Sequence, residues 1–157
     1  MVRPMKREDR ERVLDIVQAT EMFTPEEIFF AREQVDIYLE QPHQRDYFLV
    51  VTEDEKGGVA GYLSYGATPL AEGAYDLYWM AVAPEAQGRG HGRELVVWLE
   101  KRVVEAGGRL ILIETSSQPK YEKTRRFYLD LGYKEISRIP DFYKVGDGRI
   151  TYVKYFA

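Results

Sequence analysis

The sequence contains no cysteine. Disulfides, zinc–thiolate centres and cysteine nucleophiles are thereby excluded. Histidine is scarce, with 2 in 157 residues. His43 has no chemical partner near it in sequence and reads as a surface residue. Positive charge is not in excess: 22 Lys and Arg face 26 Asp and Glu, a formal net charge of -4. An overall basic footprint for nucleic acid is therefore missing. Long apolar runs are missing too, so nothing here is expected to span a membrane. Met1 to Asp9 is charged and has no apolar stretch, so it does not read as a secretion signal. These absences fit a cytoplasmic protein without a nucleic-acid or membrane partner. What is present suffices for a core: 45% hydrophobic residues against 31% charged. No repeat, low-complexity tract or linker interrupts residues 1–157, which suggests a single domain.

Helices and strands alternate in a definite order. Glu8 to Ala19 places Val13, Ile16 and Val17 on one side at helical spacing. Thr24-Pro25-Glu26-Glu27 is a helix start. Thr24 can cap, Pro25 suits the first helical position, and Glu27 completes a capping box. Tyr47 to Thr52 and Val59 to Tyr65 read as strands around the turn Asp54 to Gly58. Thr68 to Gly73 is a loop, and Ala74 to Val82 a third strand, largely buried. Gly90 to Ala106 reads as a helix ended by Gly107-Gly108, and Arg109 to Thr115 as a strand. Pro119 to Leu131 is a further helix closed by Gly132, before strands at Tyr133 to Arg138 and Arg149 to Phe156. The order is α-α-β-β-β-α-β-α-β-β. It predicts a mixed sheet of the α/β (α+β) class, with central antiparallel strands and one parallel β-α-β pair.

Between that third strand and its helix stands VAPEAQGRGHGREL, Val82 to Leu95. Glycines let the backbone take positive φ and approach a ligand closely. The first amides of a helix lack intrahelical acceptors, and the helix dipole favours an anion there. A tight turn is the plainer alternative. A Walker loop is a weak reading, because no Lys-Ser or Lys-Thr directly follows these glycines. The dinucleotide fingerprint needs GxGxxG, whereas Gly88, Gly90 and Gly92 place the third glycine one residue early.

Gln87-Gly88-Arg89-Gly90-His91-Gly92 resembles the Q/R-x-x-G-x-G/A motif of the GNAT superfamily of acyl-CoA-dependent N-acetyltransferases. Met80 to Glu85 resembles the strand end and proline turn that lead into that motif. Downstream, Arg126-Phe127-Tyr128-Leu129-Asp130-Leu131-Gly132-Tyr133 is similar to the family's FY-x-x-x-G-F/Y segment. Element order matches over roughly residues 6 to 156. The resemblance implies the GNAT-like fold: a splayed parallel pair and helices on both faces of the sheet.

It also implies roles. Amides of Gln87, Gly88, Arg89, Gly90, His91 and Gly92 would bind the coenzyme A pyrophosphate. The backbone of Met80, Ala81 and Val82 would pair with the pantetheine arm, and an N–H of Met80 or Ala81 would polarise the thioester carbonyl. Thr115 and Ser116 would line the other wall. Tyr128 matches the tyrosine that donates a proton to the leaving thiolate. Phe127 and Tyr121 are further cofactor-side candidates, although the family often has asparagine where Tyr121 stands. Asp76, Glu114 and Glu72 are the candidate bases. The co-substrate implied is acetyl-CoA, with no metal.

The acceptor-side candidates are Glu21, Phe23, Glu72, Tyr78, Phe142 and Tyr143, on the loops near Glu21 to Thr24, Thr68 to Gly73 and Pro140 to Gly148, where Asp141 adds a carboxylate. An amine acceptor is expected, on a small molecule, an amino acid or a peptide N-terminus. The alternative is a non-catalytic acyl-CoA-binding or sensing module. A homodimer through the last strands is common in the family.

Overall fold

The structure is a computed structural model that describes residues 1–156. Its strands form one seven-stranded sheet, in the order β1-β2-β3-β4-β5-β7-β6. The chain falls into two compact units. The first holds Met1–Gly66 and Tyr78–Arg102; the second holds Ala67–Leu77 and the chain from Val103 onward. The boundaries fall inside two strands and a helix: β3 (Val59–Ala67), β4 (Ala74–Val82) and α3 (His91–Glu105).

In the first unit, β2 (Phe48–Glu53) pairs antiparallel with β3 (Val59–Ala67). β1 (Val2–Pro4) pairs antiparallel with the other edge of β2. This first strand is absent from the sequence-derived order. Three residues are too few to show a period of two, and Pro4 is tolerated because β1 is an edge strand. The expected helix from Glu8 is a 3-10 turn, Arg7–Asp9, followed by α1 (Arg10–Ala19). Its Val13, Ile16 and Val17 are fully buried or nearly so, each contributing about 1.5–3 kcal/mol of transfer free energy. α2 (Pro25–Glu40) opens on the capping box. The Glu27 N–H donates to Thr24 Oγ1 at 3.2 Å, and the Thr24 N–H donates to Glu27 Oε1 at 3.1 Å.

One core cluster joins Ile16 and Val17 of α1, Ala31 and Val35 of α2, and Leu49, Val51 and Tyr62 of the strands. Side chains alternate along a strand, so Thr52 points to the other face of β2. There its hydroxyl donates to Glu94 of α3, and α3 meets β3 through the Tyr65–Trp98 ring contact at 6.0 Å. Helices therefore cover both faces of the β2–β3 pair.

In the second unit, the start of β4 pairs in parallel with β5 (Leu110–Ser116). β5 pairs antiparallel with β7 (Asp147–Tyr155), and β7 with β6 (Lys134–Lys144). The segment expected as an acceptor loop, Pro140 to Gly148, is thus the end of a hairpin rather than a loop. Pro140 hides the strand from sequence patterning, but an edge strand accepts it. The hairpin register slips between Ile139 and Lys144, where Asp141 has φ 54°. The helix expected from Pro119 is a 3-10 turn, Pro119–Tyr121, running into α4 (Glu122–Asp130). Gly132, at φ 93°, ends it. Gly107 similarly closes α3 at φ 78°.

Candidate active site

The glycine-rich stretch belongs to the first unit. After β4, the Ala83 N–H donates to Ala60 O at 2.8 Å, and a 3-10 turn, Pro84–Ala86, redirects the chain. The Gln87 side-chain amide returns to Val82 O at 3.2 Å, tying the loop to the strand end. Gly88 and Gly90 then take φ of 79° and 89°. A Cβ on either would meet nothing within 4 Å, so backbone conformation rather than crowding requires glycine there. α3 starts at His91, and the Glu94 N–H closes its first turn on Gly90 O at 3.0 Å. Among the described residues, the N–H groups of Gly88 through Arg93 have no acceptor. A run of free amides at the N-terminus of a long helix is a cradle for an anion. Arg89 is exposed beside it.

The parallel ladder lies in the second unit. It runs from Ala74–Leu110 to Leu77–Ile113 and stops there. β4 nevertheless continues through Tyr78, Met80 and Ala81 to Val82. β5 continues to Ser116, held by β7 down to the Ser116–Arg149 pair. Thr115 is buried, and its hydroxyl interacts with Tyr152 without a well-formed hydrogen bond. The Ser116 hydroxyl is committed inside the protein: it donates to Asp147 and accepts the Gln118 N–H at 3.0 Å.

Tyr128 sits on α4 with 4% of its surface exposed. Phe127 and Tyr133 flank its ring at 5.2 and 6.1 Å. Burial raises its pKa well above the usual phenol value, which keeps it a proton donor across the physiological range. Asp76 is half-buried on β4, and burial raises its carboxyl pKa as well. The Thr68 hydroxyl opposes that shift, although it lies buried without a well-formed hydrogen bond. Glu114 is exposed and faces Arg149 at 3.8 Å. The Glu72 side chain is exposed, while its carbonyl accepts from Arg109 Nε at 3.0 Å. Half-buried and with its pKa raised by that burial, Asp76 has the setting that suits a general base. Among the described residues, no group of His, Asp and Glu could hold a metal, and no helix is long and apolar enough to cross a membrane.

Residues 44–135 match the acetyltransferase (GNAT) domain. The chain belongs to the GNAT acetyltransferase family. A GNAT-family protein from Desulfovibrio desulfuricans is 42% identical, over 100% of this chain and 99% of that one, with a TM-score of 0.93. The ribosomal-protein-S18-alanine N-acetyltransferase from Escherichia coli is 18% identical over 100% of this chain and 94% of that one, with a TM-score of 0.78. An aminoglycoside 6'-N-acetyltransferase complexed with coenzyme A is 19% identical over 99% and 96% of the two chains, with a TM-score of 0.75. At such identities the last two likenesses concern the fold.

The acceptor-side candidates of this GNAT chain lie in both units. In the first, Glu21 is exposed at φ 56°. Phe23 packs edge-on against Trp79 at 5.1 Å and joins the core cluster, so most of its surface serves packing. Tyr78 meets Tyr47 edge-on at 5.6 Å. In the second, Phe142 and Tyr143 are exposed and in ring contact at 5.0 Å. Asp141 Oδ1 accepts the Gly146 N–H at 2.7 Å, which fixes the hairpin end. Tyr121 stands at the start of α4 with the Lys120 ammonium 5.5 Å from its ring.

Sequence reasoning passed over Thr68, Arg125 and Arg149. Arg125 Nη1 donates to the carbonyls of Ser116 and Gln118 at 2.8 and 2.9 Å, fastening the end of β5 to the helix of Tyr128. Its position three residues before Tyr128, on the same helix face, was the available signal. Nothing local marks Thr68 or Arg149.

Proposed function

We propose that the protein moves an acetyl group from acetyl-CoA to a primary amine by direct attack in a ternary complex. The observation that carries the reading is the glycine stretch: free amides from Gly88 to Arg93 at the start of α3, in a chain of this family. The amides of Gly88 to Gly92 hold the pyrophosphate, and Arg89 adds charge; the Gln87 N–H, expected to join them, is already donated to Pro84 O at 3.4 Å. Met80, Ala81 and Val82 present backbone to the pantetheine arm, with Thr115, Ser116, Tyr121 and Phe127 as further cofactor contacts.

The amine nitrogen attacks the thioester carbonyl carbon and forms the C–N bond. An N–H of Met80 or Ala81 stabilises the resulting oxyanion. Such a donor is worth about 2.7–4 kcal/mol in the transition state. The C–S bond then breaks, and the thiolate takes the Tyr128 proton. A thiol has an ordinary pKa near about 8.5, so proton donation makes it the better leaving group. The amine proton leaves to Asp76, directly or through water. Glu114 and Glu72 are the lesser candidates: both side chains are exposed to solvent, Glu72 on a loop. The acceptor is a small amine, an amino acid or a peptide N-terminus, met by Glu21, Phe23, Glu72, Tyr78, Phe142 and Tyr143. A cytoplasmic location suits this reading, since the chain has no cysteine to protect or pair.

The test is release of free thiol from acetyl-CoA across a panel of amines, with mass spectrometry of the product. Acetylated product from at least one amine supports the reading. Tight acetyl-CoA binding without turnover on any acceptor overturns it in favour of an acyl-CoA sensor.

A further inference from the structure

Thr68 Oγ1, Thr115 Oγ1 and Arg149 Nε are buried polar atoms without a well-formed hydrogen bond, although Thr68 has Asp76 and Thr115 has Tyr152 beside it. All three belong to the second unit. Arg149 differs from the others because it carries a full charge, and leaving charged donors unsatisfied is costly.

Register fixes where Arg149 stands. It is paired with Ser116, the last residue of β5. Opposed residues of a ladder share a face, and alternate residues of one strand do so too. Ser116, Glu114 and Leu112 therefore lie on Arg149's face, and Leu112 is paired with Asp76 of β4. The candidate base and Arg149 thus occupy the same face of the sheet, at the end of the parallel pair.

The guanidinium is held but not saturated. It lies over the Phe142 ring, 4.3 Å from its centroid, which keeps the plane in one orientation. Its Nη1 is 3.8 Å from Glu114 Oε1, too far for a hydrogen bond. The Glu114 side chain is 51% exposed, and an ion pair at that distance to a solvated carboxylate is weak. Nε is closed off from solvent, so the accessible part of the side chain is its Nη edge, and that planar fork matches a carboxylate in bidentate geometry.

We infer that Arg149 anchors a carboxylate on the acceptor, so the acceptor is an amino acid or a similar small amino carboxylate. This rests on the acetyl-transfer reading above. A purely cationic polyamine would meet the guanidinium charge instead.

The experiment uses the full chain with acetyl-CoA and free L-amino acids, each matched with its own carboxamide, beside simple alkylamines. The carboxamide's amine is the less basic of each pair and more of it is unprotonated. Intrinsic reactivity therefore favours the amide, and a preference for the acid must come from binding. The expected result is at least tenfold higher kcat/KM for one or more amino acids than for their carboxamides. In Arg149→Gln the acid-over-amide ratio falls at least tenfold, mainly through the KM of the acid, while acetyl-CoA affinity by calorimetry is kept. Arg149→Lys keeps the charge, loses the fork and falls between the two; it also serves if Arg149→Gln does not fold. Equal use of acid and amide, turnover of alkylamines only, or an unchanged ratio in both variants overturns the anchor and leaves acetyl transfer standing. No thiol release from any amine overturns acetyl transfer, and the anchor with it.

Discussion

Leu77 and Ile113 are the last partners of the parallel ladder, although β4 runs on to Val82 and β5 to Ser116. Beyond that pair β5 stays bound to β7, and among the described residues no later residue of β4 is paired with β5. Met80, Ala81 and Val82 therefore keep backbone groups that β5 does not use. This is what a ligand added as an extra strand requires. The same strand then delivers the chain to Gly88 and Gly90.

Replacing Gly90 with valine should abolish most acetyl-CoA affinity. The position has φ 89° and open space around it, so the damage is to backbone conformation and not to packing. A β-branched residue there costs about 1–3 kcal/mol of strain or moves the amides. Calorimetry should show at least a tenfold weaker acetyl-CoA complex, with the apoprotein's Tm lowered by roughly 2–12 °C as that strain implies. Normal binding by Gly90→Val would mean that the amides do not form the cradle.

Tyr128→Phe keeps the ring contacts with Phe127 and Tyr133 and removes one proton donor. Its kcat should fall by about 10²–10⁴, with KM for acetyl-CoA nearly unchanged. A larger loss in KM than in kcat would assign Tyr128 to packing.

Asp76 couples activity to pH. Burial raises its pKa, so the folded chain holds this proton to higher pH than the unfolded chain. Stability from this group is lost as the pH rises from the ordinary carboxylate value, about 3.9, through the folded value, and is flat above it. Asp76→Asn should therefore be the more stable protein at pH 7 and lose that advantage below about pH 3.9. Its kcat/KM should drop by about 10²–10⁴, and the acid limb of the pH–rate profile should disappear. An unchanged acid limb would assign the proton to another group.

Arg3 and Asp9 give the opposite sign. Asp9 is buried, with Arg3 donating to both carboxylate oxygens at 2.8 and 3.0 Å and the Lys6 N–H at 2.8 Å. The Arg3 hydrogen bonds hold its pKa below the usual value. This stability is fully present above the unfolded value, about 3.9, and is lost as the pH falls through the folded one. Asp9→Asn should cost about 1.5–3 kcal/mol at pH 7 in urea unfolding, and the gap should close in acid.

Much of this was legible in the chain. Ala74 to Val82 is the strand expected, bound for bound. The Thr24–Glu27 capping box forms as its spacing requires. The ends of α3 and α4 lie at their glycines. The failures share a cause. β1 is too short to show a period, and β6 carries Pro140 in mid-strand, permissible only because β6 is an edge. Edge position is a property of the sheet and not of the segment.

By itself the sequence determined what is written within a few consecutive residues: caps, turns, positive-φ glycines and the free amides at the head of α3. Those features depend on local sterics and on amides a helix always leaves free. Only tertiary structure decided that the ladder ends at Leu77–Ile113, that Asp76 is half-buried, and that Arg149 stands opposite Ser116. Each joins residues distant in the chain, and desolvation and register exist only once those segments meet.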